Sequence, residues 1–223
     1  MSMRKIIKYI GAINLKTILL NFKYLPIRQA IHLPIWCSSK LRIRSANGKV
    51  VILGPIRAGM IRIGFDSVGI FDNKRSRSIW EVYGNVTFVD SAIIGHGSKI
   101  CVLRGGELKI GQNFCITAES SVVCEKSITF GSDCLLSWDC LIMDTDFHKI
   151  KDENGRVINC PKPITFGNHV WMGCRCTVLK GVSIADNSVI AAGTLLTSSF
   201  DQKNSIIGAN PNKLIKENIT WQG

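Results

Sequence analysis

Read in steps of six from Phe166, the chain gives Phe166, Met172, Val178, Ile184, Ile190 and Leu196, all apolar. Ile110, Ile116, Val122 and Ile128 form a second such row; Phe130, Leu136 and Ile142 a third; Ile94 and Ile100 a fourth. Glycine follows the apolar residue at Gly95, Gly111, Gly131, Gly167 and Gly173. A small or compact residue stands four places after it, as at Ser98, Ser120, Cys134, Cys140, Val170, Cys176, Val182, Ser188 and Thr194. A helix repeats every 3.6 residues and a half-buried strand every 2. A period of six with glycine at a fixed place predicts very short strands joined by tight turns. The apolar residue then points into a narrow interior and glycine relieves the corners. Three faces per turn need about eighteen residues per coil. The expectation is a mainly β architecture, a coil over residues 61–200. A basic, partly helical segment over 1–60 precedes it, with one or two short helices broken near Pro26 and Pro34. The C-terminal segment, 201–223, contains "KLIKENITW", which predicts a short helix capping the open end.

The longest break in the repeats falls between Ile142 and Phe166 and holds "DTDFHKIKDENGRVINCPKP". An excursion from a rigid repetitive scaffold is a common seat of function, so a catalytic loop is expected at about 144–163. His148 is its candidate general base, since an unperturbed imidazole titrates near working pH. Asp144 or Asp146 is the candidate partner for the other ring nitrogen. In extended chain Asp146 and His148 would point the same way, which favours Asp146. The plain alternative is a loop histidine among solvated carboxylates. His96 and His169 fall within hexads and read as turn residues.

Charge changes the picture for one segment only. Residues 1–65 carry twelve Lys or Arg and no acid; the rest of the chain, with sixteen of each, is neutral. A basic, acid-free segment suits an anionic partner or is a solvated face. It makes the N-terminal segment a candidate for contact with a membrane surface as an amphipathic helix. No zinc-finger spacing, RNP-like aromatic run or helix-turn-helix accompanies it, so nucleic acid is not expected as a partner. Lys16 and Lys23 interrupt the apolar run at the N-terminus, which stays short of the roughly 18 apolar residues of a spanning helix. The nine cysteines are an odd number, and the expectation is a cytoplasmic protein with reduced thiols, peripheral at most to the inner face of the membrane. Cys134, Cys140 and Cys176 take the compact interior position of the hexad. The "CRC" at 174–176 lacks a CxxC or histidine-rich partner set, so no metal is expected.

With these features in hand, the chain resembles the hexapeptide-repeat acyltransferases over roughly residues 60–220. It is most similar to the sugar O-acetyltransferases that modify surface polysaccharides, with galactoside and maltose acetyltransferases as relatives. Three motifs carry the resemblance: "DTDFHKI", "VWMGCRCTVLKGVSIADNSVIAAGTLLT" and "IIGANPNKLIK". The resemblance implies a left-handed parallel β-helix of hexapeptide repeats, acetyl-CoA as acyl donor, a sugar or glycan acceptor and a homotrimer with active sites between neighbouring coils. It implies His148 as catalytic base by direct transfer. It also implies that Trp171 lines the acetyl and pantetheine channel, that Cys174 stands where relatives have a serine near the thioester, and that Ala192 and Thr197 contact the pantetheine arm. Lys213 and Lys216, one helical turn apart on the expected helix, match basic positions near the coenzyme A phosphates.

The sequence also departs from the family pattern. "GANPNK" is one residue longer than the galactoside-type segment, Ser198 stands where some relatives have lysine, and positions 113–121 do not reproduce a galactoside-binding set. Two other readings stay open on the sequence: N-acetylation of a nucleotide-linked amino sugar, and a non-catalytic glycan-binding β-helix.

Overall fold

A computed structural model describes residues 12–65, 68–72 and 76–222. Among the described residues, twenty-two strands wind into one coil, and successive strands fall in turn on three parallel faces of nine, seven and six strands. The first face alone ends in an antiparallel strand. The architecture is a left-handed parallel β-helix.

The hexad rows explain the winding. Residues six apart step to the next face, and residues in register stack along the axis. Ile94, Ile116, Leu136, Met172, Ile190 and Ile207 form one interior column on the first face. Ile100, Val122, Ile142, Val178 and Leu196 form the column on the second. All are buried, as are Cys134, Cys140 and Cys176. Burial pushes the Cys134 thiol up to about 11, as expected of cysteines that act as compact hydrophobes. On the third face Phe130 stacks on Phe166 at 4.9 Å between ring centroids, and Phe114 reaches in from the first face to lie 4.8 Å from Phe130.

The turns differ from expectation in one respect. Left-handed φ values fall three residues after the apolar position, at Asn113, Asp133, Asp139, His169, Arg175 and Asn187. They do not fall on the glycine directly after it. Those glycines are needed for close approach: a Cβ on Gly111 would lie 2.2 Å from the Gly131 carbonyl, and one on Gly131 2.3 Å from that of Gly167. His169 is a turn residue, with φ 55. His96 is not: it ends a strand, Ala92–His96, and is buried against Ser76.

Eighteen residues per turn holds where Phe166 pairs with Ile184, Met172 with Ile190 and Val178 with Leu196. Earlier coils are looser: Ile116 and Leu136 pair 20 residues apart and Ile94 and Ile116 pair 22 apart.

Two boundaries need correction. The coil begins well before residue 61, because β1 (Ile35–Cys37), β2 (Arg42–Ala46) and β3 (Lys49–Ile52) already pair in parallel with the next turn. The expected C-terminal helix is a strand. After β21 (Ile206–Gly208) the chain turns back, and β22 (Lys213–Lys216) runs antiparallel to it, with Gly208 opposite Lys213. The unpaired edge of the first face offers backbone hydrogen bonds, and these outweigh the weak helix propensity of the segment.

At the other end, α1 (Leu15–Tyr24) and α2 (Ile27–Ala30) flank Pro26 as the sequence suggests. The helical reading of residues 1–11 lies outside the described residues.

Candidate active site

The loop at 144–163 leaves the coil after β14 (Leu141–Met143) and returns at β15 (Ile164–Phe166), at the corner between the second and third faces. It lengthens that turn to 36 residues, from Leu141 to its register partner Thr177. The loop is an ordered hairpin. Lys151 bridges Val157, the Ile158 amide donates to the Ile150 carbonyl, and the Asp152 carboxylate accepts from the amides of Asn154 and Arg156.

Asp144 is fully buried, and its carboxylate accepts from the backbone amides of Glu125, Lys126 and Ser127 at 2.7, 2.8 and 2.8 Å. It fastens the root of the loop to the preceding coil and makes no hydrogen bond to His148. Asp146 does not reach the imidazole either. Its carboxylate pairs with Lys180 and accepts from the Asn159 side chain at 2.8 Å. Those two hydrogen bonds, that of Lys180 first, hold the Asp146 carboxyl below the usual carboxylate range. The extended geometry assumed from the sequence fails because Phe147 adopts φ 61, which breaks the alternation between Asp146 and His148.

His148 is exposed. Its amide donates to the Asp146 carbonyl at 2.7 Å, and its carbonyl accepts from Asn159 at 2.7 Å. Asn159 therefore ties Asp146 and the backbone of His148 into one unit. Among the described residues no side chain hydrogen-bonds the imidazole. Lys180 and Asn159 were not singled out from the sequence. Both lie inside stretches quoted above, Lys180 at a hexad corner and Asn159 in the return arm of the loop, but nothing in either stretch pairs that residue with Asp146.

The residues expected at the acyl donor lie elsewhere on the coil. Trp171, on β16 (Trp171–Met172), stands half-exposed on the first face, and its indole N–H donates to Ser137 Oγ at 3.3 Å. Trp221 packs beside it at 6.0 Å and stacks on His169 at 4.0 Å, the two rings nearly parallel. This aromatic cluster borders a groove of about 450 Å³ lined by Asn113, Cys115, Asp133, Leu135, His169 and Trp221. Cys174 and Ala192 meet at the corner between the first and second faces. The Gly193 amide donates to the Cys174 carbonyl, and a Cβ on Gly173 would lie 2.7 Å from the Ala192 nitrogen. Ala192 is exposed. Thr197 Oγ1 donates to Asn212 at 3.2 Å, while Asn212 donates to Ser198 Oγ. Lys213 and Lys216 are exposed on β22 rather than on a helix. Cys174, Ala192, Thr197 and the two lysines thus follow the last coils toward the C-terminal end. Among the described residues no cluster of three or more His, Cys, Asp or Glu is arranged to hold a metal ion.

No family model matches the chain. It is 42% identical over 140 residues to a polysialic acid O-acetyltransferase of Neisseria meningitidis, covering 61% of this chain and 65% of that protein. It is 32% identical over 116 residues to the galactoside O-acetyltransferase of Escherichia coli strain K12, covering 51% and 55%. Among solved structures it superposes on the polySia-specific acetyltransferase NeuO with a TM-score of 0.54 and 25% identity, over 84% of this chain and 74% of that one. The chain is therefore similar in sequence and in fold to sugar and polysaccharide O-acetyltransferases. It spans between about half and two thirds of the length of the two curated relatives. In this fold the loop histidine and the Cys174–Ala192 pair sit on different corners of a single coil, with Trp171 on the first face.

Proposed function

We propose that the protein is an acetyl-CoA-dependent O-acetyltransferase acting on a sugar hydroxyl in the biosynthesis of a surface polysaccharide, on the cytoplasmic side of the membrane. The observation that carries this reading is the loop. A rigid coil holds out an exposed imidazole, and the loop beneath it is fastened by Asp144, Asp146, Lys180 and Asn159. A general base needs such a mount: free to meet a substrate, but restrained in position. His148 accepts the proton of the acceptor hydroxyl as that oxygen attacks the thioester carbonyl, and returns it to the departing sulfur. No side chain needs to become acylated, because both substrates are held together.

The C-terminal coils suit the donor. Ala192 and Gly193 offer an exposed corner with little side chain, which lets a thin arm approach the backbone. Thr197 adds an exposed hydroxyl. Lys213 and Lys216 present two cations beyond it, suited to phosphates. Bound there, acetyl-CoA supplies the activated acetyl group. Trp171, its indole N–H held by Ser137, would form the wall beside the reacting end.

The separation of the loop corner from the donor corner favours a homotrimer, in which the loop of one copy closes on the donor line of the next. The relatives act on polysialic acid and galactoside by name; for this chain the acceptor class is a glycan bearing free hydroxyls. The test is calorimetry with acetyl-CoA, coenzyme A and a short thioester without the adenosine end. Saturable binding that requires the adenosine end supports the reading. Absence of binding by folded protein removes the transferase function and leaves a glycan-binding coil.

A further inference from the structure

The helix α1 buries two polar side chains, Thr17 and Asn21, together with Leu20 against the coil. Thr17 Oγ1 accepts from the Cys37 amide at 2.9 Å, and Asn21 both donates to the Ile35 carbonyl at 2.6 Å and accepts from the Ile35 amide at 3.0 Å. Asn14 donates to the Cys37 carbonyl at 2.7 Å, and Lys16 Nζ donates to the carbonyls of Ser39 and Leu41. Four residues of helix rise about 6 Å and two residues of strand about 6.6 Å, so Thr17 and Asn21 match alternate groups on the edge of β1. The side chains of α1 stand in for the missing strand at the end of the first face.

The consequence is on the outside. Leu15, Ile18, Leu19 and Phe22, at i, i+3, i+4 and i+7, form a stripe 41 to 69% exposed. Ile13 just before the helix is exposed too, as are Ile27 and Ile31 in and after α2. Lys23, Arg28 and His32 are exposed within the same stretch, and no acid occurs anywhere in the first 65 residues. A contiguous apolar stripe of this kind marks an interaction surface. The charge decides the occupant. Two copies meeting through this face would bring cations onto cations. A bilayer with anionic headgroups meets both requirements at once, taking the apolar side chains into the acyl boundary and the cations at the headgroups.

The structure assigns α1 and the start of α2 as a docking surface for an anionic phospholipid bilayer, with Leu15, Ile18, Leu19 and Phe22 as the inserting side chains. No helix among the described residues is long and apolar enough to cross a membrane, so this contact lies on one leaflet. It does not depend on the acetyl-transfer reading. These polar contacts fix the helix to the edge of β1.

The experiment is flotation of the full chain with vesicles of phosphatidylcholine alone and with 30% phosphatidylglycerol. Binding is expected to the anionic vesicles only, weakening as salt rises. The double variant Leu19→Glu/Phe22→Glu should lose at least tenfold in vesicle affinity with an unchanged melting temperature, because both side chains lie in solvent. Lys23→Glu/Arg28→Glu, which leaves the apolar stripe intact, should also lose it, and Ile70→Glu, an exposed apolar site outside both helices, should bind like wild type. Failure of the wild type to bind anionic vesicles overturns the proposal. So does equal binding to neutral vesicles, or binding that survives the Leu19/Phe22 change. A fall in oligomer size in that variant would show the stripe to be a contact between copies and would overturn it equally.

Discussion

His148 shows how much a motif conveys and where it stops. Its placement at a break in the repeats was legible because the hexad rows on both sides are strong. Its partners were not, because alternation along an extended chain does not survive one left-handed residue at Phe147. Asp144 and Asp146, two positions apart, have different work. Replacing Asp144 by alanine leaves three turn amides without their acceptor, and should destabilise the fold by about 3 kcal/mol in denaturant melts; Asp144→Asn should cost less. A normal melt combined with lost transfer would instead make Asp144 part of the chemistry. Asp146 acts on the loop through pH. Its carboxyl is held below the ordinary range by Lys180 and then Asn159. A group with a depressed folded pKa contributes stability above its unfolded value, about 3.9, and loses it as pH falls through the folded value. The loop should therefore stay fastened at neutral pH and loosen only below about pH 4. In Lys180→Met the Asp146 titration, followed by NMR, should move back up toward the ordinary value, with faster hydrogen exchange at Ile158 at pH 7. An unmoved titration would remove Lys180 from the loop's support.

Among the elements, the six-residue period gave both the faces and the interior columns, since only side chains that fill a three-sided core satisfy it. The glycines were correctly singled out for the wrong reason. Their φ values are ordinary, and the constraint is the neighbouring coil's backbone. Gly131→Ala must push a Cβ against the Gly167 carbonyl, and should destabilise by about 3 kcal/mol in thermal or denaturant unfolding. A neutral result would show that the coils can part locally. The end elements were less legible. The segment around Lys213 has the residues of a helix, yet the free edge of the first face captures it as β22. At the opposite end, α1 lies in the stretch read as helical and stops short of Pro26, but its sequence alone does not say that Thr17 and Asn21 face inward. That orientation is imposed by the unpaired groups of β1, a tertiary demand with no local signature.

At the level of the whole molecule, the His148 loop and the Cys174–Ala192 corner lie at different corners of the coil, and the proposed reaction calls for a second copy to bring them together. If the loop of one copy serves the donor line of the next, His148→Ala and Ala192→Trp chains, each inactive alone, should regain about one quarter of wild-type activity when co-assembled in equal amounts, because a quarter of the interfaces then pair an intact loop with an intact corner. No recovery in verified mixed oligomers would place the site within a single chain. The proposed chemistry itself is tested most directly by acetyl transfer. Wild type and His148→Ala would be incubated with acetyl-CoA and a panel of glycan oligosaccharides, and product mass read before and after mild alkali. The account predicts an alkali-labile acetyl ester with wild type, a fall in kcat of about 10²–10⁴ in His148→Ala, and unchanged acetyl-CoA binding. Equal transfer by His148→Ala, or an acetyl group that survives alkali as an amide, would contradict it.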